Sequence, residues 1–434
     1  MMLSSFLQAG SSTLANIYLG RMIGTDALAS ASVLFPVVFF FIALVLGMGA
    51  GASVLIGQFW GADEPERARV VAANAMAAAI LAGVAVAAVL TPLAEPVLRG
   101  LGTPARVLPG AVAYATVILS FMPVPFVFLL AGQLLRGIGD TFLPMLALAL
   151  AVVLSMLITP ALIRGWFGLP RLGVASAAWA WVLSWTVGIA WLGFELRRRG
   201  SPLAPDRRFL RAMRPDWRLM ATVLRLGVPA GVQMVALALA EMVLLGLANR
   251  YGADATAAYG AVNQVLAYVQ FPAFSIGITV SILSSQLIGA GLNRSLAAVL
   301  RMGMVWNVAV TGGLVLLGYV FSRPLVELFV ARPAVVALTE TMLHVVLWST
   351  VLYGAALILA GQMRASGVVI VPTLLLVGCI VLVEVPVGWV GSARFGVVGV
   401  WSAYPACFTA MLLVQAAFFF LAWRGREIAR LVPG

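Results

Sequence analysis

SVLIGQFWGA, residues 53–62, returns without a gap as SILSSQLIGA at residues 281–290. The offset of 228 residues holds further out, laying GTDALA at 24–29 on GADATA at 252–257. Across residues 24–62, 11 of 39 positions are identical to their counterparts, well above what composition alone gives. The same offset sets Arg136, Gly139 and Pro144 on Arg364, Gly367 and Pro372. A self-similarity this long means that the chain is two copies of one unit. The fold is therefore decided by what that unit is.

The unit is a bundle of apolar helices. The 434 residues are 63% hydrophobic and only 10% charged, where soluble domains carry about 25% charge. Mean hydropathy is +1.07. Apolar runs long enough to cross hydrocarbon as helices recur from end to end, and the short alternating segments of a membrane β-barrel are absent. Charged and Gly/Pro punctuation divides the runs into twelve spans. They cover roughly 1–22, 27–59, 68–92, 107–136, 141–164, 173–195, 222–249, 255–288, 296–320, 333–362, 369–391 and 396–423. The expected fold class is an all-α polytopic membrane protein with twelve transmembrane helices.

Six spans per copy is an even number, so the two six-helix repeats are parallel. An axis along the membrane normal relates them, with the site between them near the midplane. The expected division is an N-lobe over 1–195, a linker over 196–221, a C-lobe over 222–423 and a tail over 424–434. Nine arginines fall between 196 and 225. Together with the tail and the other even-numbered loops, that side carries 18 Arg against 9 opposite. The linker and both termini are accordingly expected in the cytoplasm, and the protein in a cytoplasmic (inner) membrane. Met1 opens directly into apolar sequence with no basic region ahead of it, so no signal peptide is expected. The first span reads as clipped, with a short lead either absent from this start or not needed.

Composition also excludes chemistry. The net charge is +12, and every one of the 27 basic residues is Arg. In a membrane protein such a balance reads as cytoplasmic loops, not as nucleic-acid binding. Without Lys there is no GxxxxGK phosphate loop and no Schiff base. One histidine, His344, rules out zinc sites built on several. Cys379 and Cys407 lie in apolar runs and read as core thiols. No cofactor is expected. Any pumping must draw on an ion gradient, with H⁺ or Na⁺ as the coupling ion.

A few polar residues stand out against this background. Glu241 lies in ALALAEMVLLGLANRYG, residues 236–252, where a carboxylate costs several kcal/mol unless it faces a polar interior or titrates. It is the candidate ion coupler; the alternative is a structural hydrogen-bonded carboxyl. The repeat places neutral Thr13 at its counterpart. Glu384, in VLVEVPVGWV, is the second buried acid, either sharing that load or supporting a kink at Pro386. Gln8, Ser12 and Asn16 form a polar stripe at i, i+4 spacing on the first span, and Asn263, Gln264 and Gln270 on the eighth read the same way. Such stripes line a cavity or bond neighbouring helices. Tyr259, Tyr268, Phe271, Trp348 and Tyr353, with Met234 and Met242, could form a pocket for flat cations or could simply pack. Glu340 and His344 are i, i+4 neighbours and read as an interfacial ion pair or a pH-sensitive one. Gly47, Gly51, Gly57 and Gly61 read as close helix packing.

IYLGRMIGTDALASASVLFPV followed by GQFWGADEPERAR resembles the opening helix pair of the MATE family, the multidrug and toxic compound extrusion transporters. LLRGIGDTFLPM at 134–145 and QMRASGVVIVPTL at 362–374 resemble segments that close its fourth and tenth helices, and PAFSIGITVSILSSQLIGAG resembles its eighth. The resemblance spans nearly the whole chain. It implies two six-helix lobes forming a V-shaped central cavity. It implies export of amphipathic, often cationic compounds against H⁺ or Na⁺, by lobes that open alternately to each side. It also implies a coupling carboxylate on the seventh span, where Glu241 is the sole acid, one turn later than the family pattern. Acids that parts of the family carry elsewhere are replaced here by Ala15 or Asn16, by Thr159 and by Tyr353. The expected activity is thus that of a drug antiporter coupled to H⁺, less readily to Na⁺, and not that of an enzyme. It would act as a monomer on small organic cations in a lipid bilayer, with Gln8, Ser12, Asn16, Asn263, Gln264 and Tyr353 facing the cavity. The rivals are a lipid-linked saccharide flippase of the same superfamily, which would need Arg inside the cavity, and a polytopic membrane transferase.

Overall fold

The computed structural model describes residues 18, 22–168, 170–214, 216–330, 332–426 and 428–431. Among them there is no strand. Ten helices are long and apolar enough to cross a membrane, and a bent pair, Leu108–Ser120 with Pro123–Gly137, makes an eleventh span. The first expected span, 1–22, lies almost wholly outside the described residues. Contacts divide the chain into two compact units. One runs to Trp60 and from Glu64 to Gly231; the other takes the turn Gly61–Asp63 and Val232 onward.

The first unit holds α1 (Thr25–Val33), α2 (Phe35–Gly61), α3 (Pro65–Leu90), α4 (Leu108–Ser120), α5 (Pro123–Gly137), α6 (Phe142–Arg164), α7 (Ala175–Arg198), a short α8 (Arg207–Ala212) and the first half of α9 (Trp217–Asn249). Two expected spans are not single rods. The second breaks at Leu34, just before Pro36, and the fourth bends by 52° between α4 and α5. Pro123 and Pro125 cannot donate to the preceding turn, and Pro123 is held against Gly83 of α3, where a Cβ would sit 2.6 Å from its Cα. α6 ends at Gly165, whose left-handed backbone (φ 70°) stops the helix at no side-chain cost.

Burial of apolar surface does not by itself join helices in lipid, so close backbone approach must. A Cβ on Gly47 would stand 2.5 Å from the Gly227 carbonyl and 2.6 Å from the Gly231 amide. One on Gly51 would stand 2.4 Å from the Val223 carbonyl. α2 and the first half of α9 therefore touch backbone to backbone. The contact boundary consequently falls inside α9, at Gly231, and the 196–221 linker lies within the first unit.

The second unit holds the rest of α9, α10 (Ala253–Gly289), α11 (Leu296–Trp306), α12 (Gly312–Val320), α13 (Pro333–Val346), α14 (Ser349–Ala365), α15 (Ile370–Cys379), α16 (Val385–Val400) and α17 (Ala403–Phe418). Wider π-type turns join α11 to α12 at Asn307–Thr311 and α15 to α16 at Ile380–Glu384. The tenth expected span pauses at Leu347–Trp348 between α13 and α14. α10 and α14 cross closely, a Cβ on Gly361 meeting the Gly277 carbonyl at 2.6 Å. Leu382 and Leu421 are largely uncovered, as side chains bathed in hydrocarbon would be.

Candidate functional site

The two buried-acid candidates lie in the second unit, on α9 and at the α15–α16 turn. Ala240, Leu244, Leu247 and Ala248 form the buried stripe of α9. Glu241 borders that stripe and its side chain is exposed. Glu384 is the opposite case, 2% exposed. Pro386 has no N–H to give the preceding turn, and the chain widens there instead, with the Val385 amide bonding to the Ile380 carbonyl. Such insertions often mark functional positions in helices. Glu384, the last residue of this wide turn, is directed inward, where its carboxyl meets the Cys407 thiol. Its Oε2 has no hydrogen-bond partner.

Between the two acids lies a cluster of rings. The Tyr259 hydroxyl of α10 is 3.2 Å from that of Tyr404 on α17. The same oxygen donates to the Glu241 backbone carbonyl at 3.4 Å, and Asn263, one turn along, bonds to it as well. Trp401 stacks on Tyr404 with centroids 5.3 Å apart and lies 4.8 Å from Tyr259. Tyr353 of α14 stacks on Phe408 of α17 at 4.7 Å. The cluster thus joins α9, α10, α14, α17 and the α15–α16 turn, with one acid open and the other sealed.

The structure brings Glu241, Glu384, Tyr259, Asn263 and Tyr353 together. Gln264 and Gln270 are half-buried further along α10, and Tyr268 stands edge-on to Phe271 at 6.2 Å. Trp348 and Met242 are exposed. Gln8, Ser12 and Asn16 lie outside the described residues. Glu340 and His344 do not pair: Glu340 accepts from the Ser322 hydroxyl at 2.6 Å, and the His344 ring lies 5.1 Å from that of Tyr319.

Sequence reasoning passed over Tyr404, Trp401 and Phe408, because aromatic residues on a membrane helix ordinarily signal packing alone. It also missed a polar knot nearby. Asn307 donates to the Val351 carbonyl at 2.9 Å and accepts from Thr311 at 3.2 Å, both side chains being fully buried. The available signal was an Asn and a Thr at i, i+4 spacing inside an apolar run.

The chain is similar to known proteins along its whole length. The MatE family model matches residues 1–161 and 229–390. A probable multidrug resistance protein of Bacillus subtilis (strain 168), YoeA, is 38% identical over 434 residues, covering 100% of this chain and 94% of that protein. A second from the same organism, YpnP, is 26% identical over 372 residues, 85% of this chain and 80% of its own length. Among solved structures, a point mutant of the Vibrio cholerae MATE transporter VcmN superposes with a TM-score of 0.90 at 19% identity, covering 99% of this chain and 95% of that one.

Proposed function

The chain belongs to the MatE family, the multidrug and toxic compound extrusion transporters, and on that ground we propose that it is a secondary active exporter of drugs and toxic metabolites. It moves amphipathic, cationic compounds outward across a cytoplasmic membrane in exchange for H⁺, with access alternating between the two faces. The linker and both termini lie in the cytoplasm, and the protein works as a monomer. The names of YoeA and YpnP as probable multidrug resistance proteins support the substrate class.

The observation that carries the coupling reading is the contrast between Glu241, exposed, and Glu384, sealed with one oxygen unpartnered. A carboxylate in a dry site without partners is costly and needs a proton or a cation. One that the protein does not cover can exchange its proton in whichever facing state admits water. Two acids, one on each side of that divide, can bias two facing states by their occupancy, which is what antiport requires. H⁺ is favoured over Na⁺ because the side chain that meets the Glu384 carboxyl is the Cys407 thiol, a poor ligand for a hard cation that takes carboxylate and carbonyl oxygens.

The test is dye efflux from inverted vesicles under imposed pH or sodium gradients, comparing the native chain with Glu241→Gln and Glu384→Gln. The reading expects transport driven by the pH gradient and lost in Glu241→Gln at normal expression. Gradient-driven efflux that survives both substitutions overturns the coupling role. Efflux that follows the sodium gradient alone overturns the choice of H⁺.

A further inference from the structure

We propose that the segment between α7 and α9 is a fixed membrane-surface plate that binds anionic phospholipid headgroups. The proposal needs only the membrane-spanning fold and not the exporter reading.

This segment is not a loose tether. The Arg69 side chain of α3 donates to the Pro202 carbonyl at 2.6 Å. Asn74 of the same helix clasps it twice, donating to the Ala212 carbonyl at 3.2 Å and accepting from the Asp216 amide at 2.7 Å. Arg197 of α7 holds the Pro205 carbonyl. Leu203, Ala204 and Phe209 of the segment itself are buried. The segment therefore keeps one face against α3 and presents the other.

The presented face is basic in excess, and only Arg208 interacts with a nearby acid, Asp206. Arg207, Arg208, Arg211, Arg214 and Arg218 are all exposed, and no ion pair engages them among the described residues. The acids nearby are already engaged. Asp206 caps the Phe209 amide, Asp216 accepts from the Arg218 amide, Glu195 pairs with Arg198 and Arg199, and Glu66 pairs with Arg69. Two large apolar groups stand among these arginines, Trp217 at 79% exposure and Leu210 at 58%. In water that pairing of features would be a liability. At a bilayer surface it is the expected composition, with rings and aliphatic chains entering the headgroup boundary and guanidinium groups on phosphate. The plate sits where α7 ends and α3 and α9 begin, which places it at one face of the membrane. Basic clusters next to membrane helices are drawn to anionic lipid, and Arg takes phosphate oxygens in bidentate fashion.

The test uses the full chain purified in detergent and titrated with short-chain phosphatidylglycerol or phosphatidylcholine, with bound lipid counted by native mass spectrometry. Phosphatidylglycerol is expected to be retained about tenfold or more over phosphatidylcholine. That preference falls away in the R207Q/R208Q/R211Q/R214Q variant and partly in R211Q/R214Q, which guards against a misfolded quadruple variant. R99Q/R323Q, on exposed arginines elsewhere, leaves it intact. Trp217→Ala weakens retention of both lipids while keeping their ratio. An unchanged preference in both linker variants overturns the proposal. So does displacement of the lipid by millimolar inorganic phosphate, which would mark a free-anion site, and so does retention unaffected by Trp217→Ala.

Discussion

The Tyr259 hydroxyl stands 3.2 Å from that of Tyr404 and 3.4 Å from the Glu241 backbone carbonyl, so one phenol ties α17 to α9 beside the exposed acid. The relationship is asymmetric. Tyr259→Phe removes every bond at the junction and leaves the buried Tyr404 hydroxyl alone, whereas Tyr404→Phe leaves Tyr259 its carbonyl and Asn263. An unsatisfied buried hydroxyl costs about 1–3 kcal/mol. Tyr259→Phe should therefore lower the thermal midpoint in detergent more than Tyr404→Phe. The double variant should cost less than the two single losses together, because both remove the same bond. Equal and additive losses would show that the two hydroxyls do not act on each other.

A second prediction concerns Gly354 of α14. A Cβ there would lie 2.0 Å from Asn307 Oδ1, and 2.9 Å from the Ala273 Cβ. Gly354→Ala must push the amide off the Val351 carbonyl and Thr311, breaking the knot at the wide turn between α11 and α12. Overpacking of this kind costs about 1–3 kcal/mol, to which the displaced amide adds. Asn307→Ala in the Gly354→Ala background frees the space and should recover part of the lost midpoint. A double variant less stable than either single one would place the clash elsewhere.

Glycines in this chain divide sharply by what surrounds them. Gly51 meets only backbone across the α2–α9 crossing, so Gly51→Val cannot be relieved by a side-chain shift. It should abolish the folded protein recovered from membranes. Gly246, within α9, has open space where a Cβ would go. Gly246→Ala should leave the fold intact and add up to about 1 kcal/mol through helix propensity. Monodispersity after solubilisation reads both, and comparable yields of the two variants would refute the backbone crossing.

How much of this was legible in the sequence follows from the physics of each feature. The repeat around SVLIGQFWGA and the apolar spans were readable because lipid imposes length and composition on every crossing. Where spans break was not. Pro160, Pro229 and Pro272 all lie inside continuous helices, whereas Pro123 marks a 52° bend. The residue type is the same, and the difference is the neighbour, since Gly83 lets Pro123 come close. Glu241 and Glu384 announced themselves through the cost of an acid in an apolar run. Tyr404 and Trp401 did not, because a ring on a membrane helix carries no such cost. The docking of the linker on α3 was hidden for a different reason. Asn74 reads as one polar residue among many, and its two bonds span 138 and 142 positions.

That docking supplies the last prediction. Asp206 caps α8 by accepting from the Phe209 amide at 2.7 Å. This bond, with lesser help from Arg69 and Arg208, holds its carboxyl below the usual carboxylate range. A depressed value means that the contribution to stability is complete above the unfolded value of about 3.9 and is lost as pH falls through the folded one. Linker amides should therefore keep their protection, measured against the intrinsic exchange rate at each pH, at neutral pH and lose it as the solution is acidified below about pH 4. Asp206→Asn keeps a capping oxygen and should protect the linker about equally across that range. Asp206→Ala removes the cap, worth about 1 kcal/mol, and should open the linker roughly fivefold more at neutral pH. The measurement is the protection factor at Phe209 and Leu210, the intrinsic rate divided by the observed one, against pH in the three proteins. Native protection that stays flat on acidification, or an Asn variant as poorly protected as the Ala one, would show that the Asp206 carboxylate does not hold α8 in place.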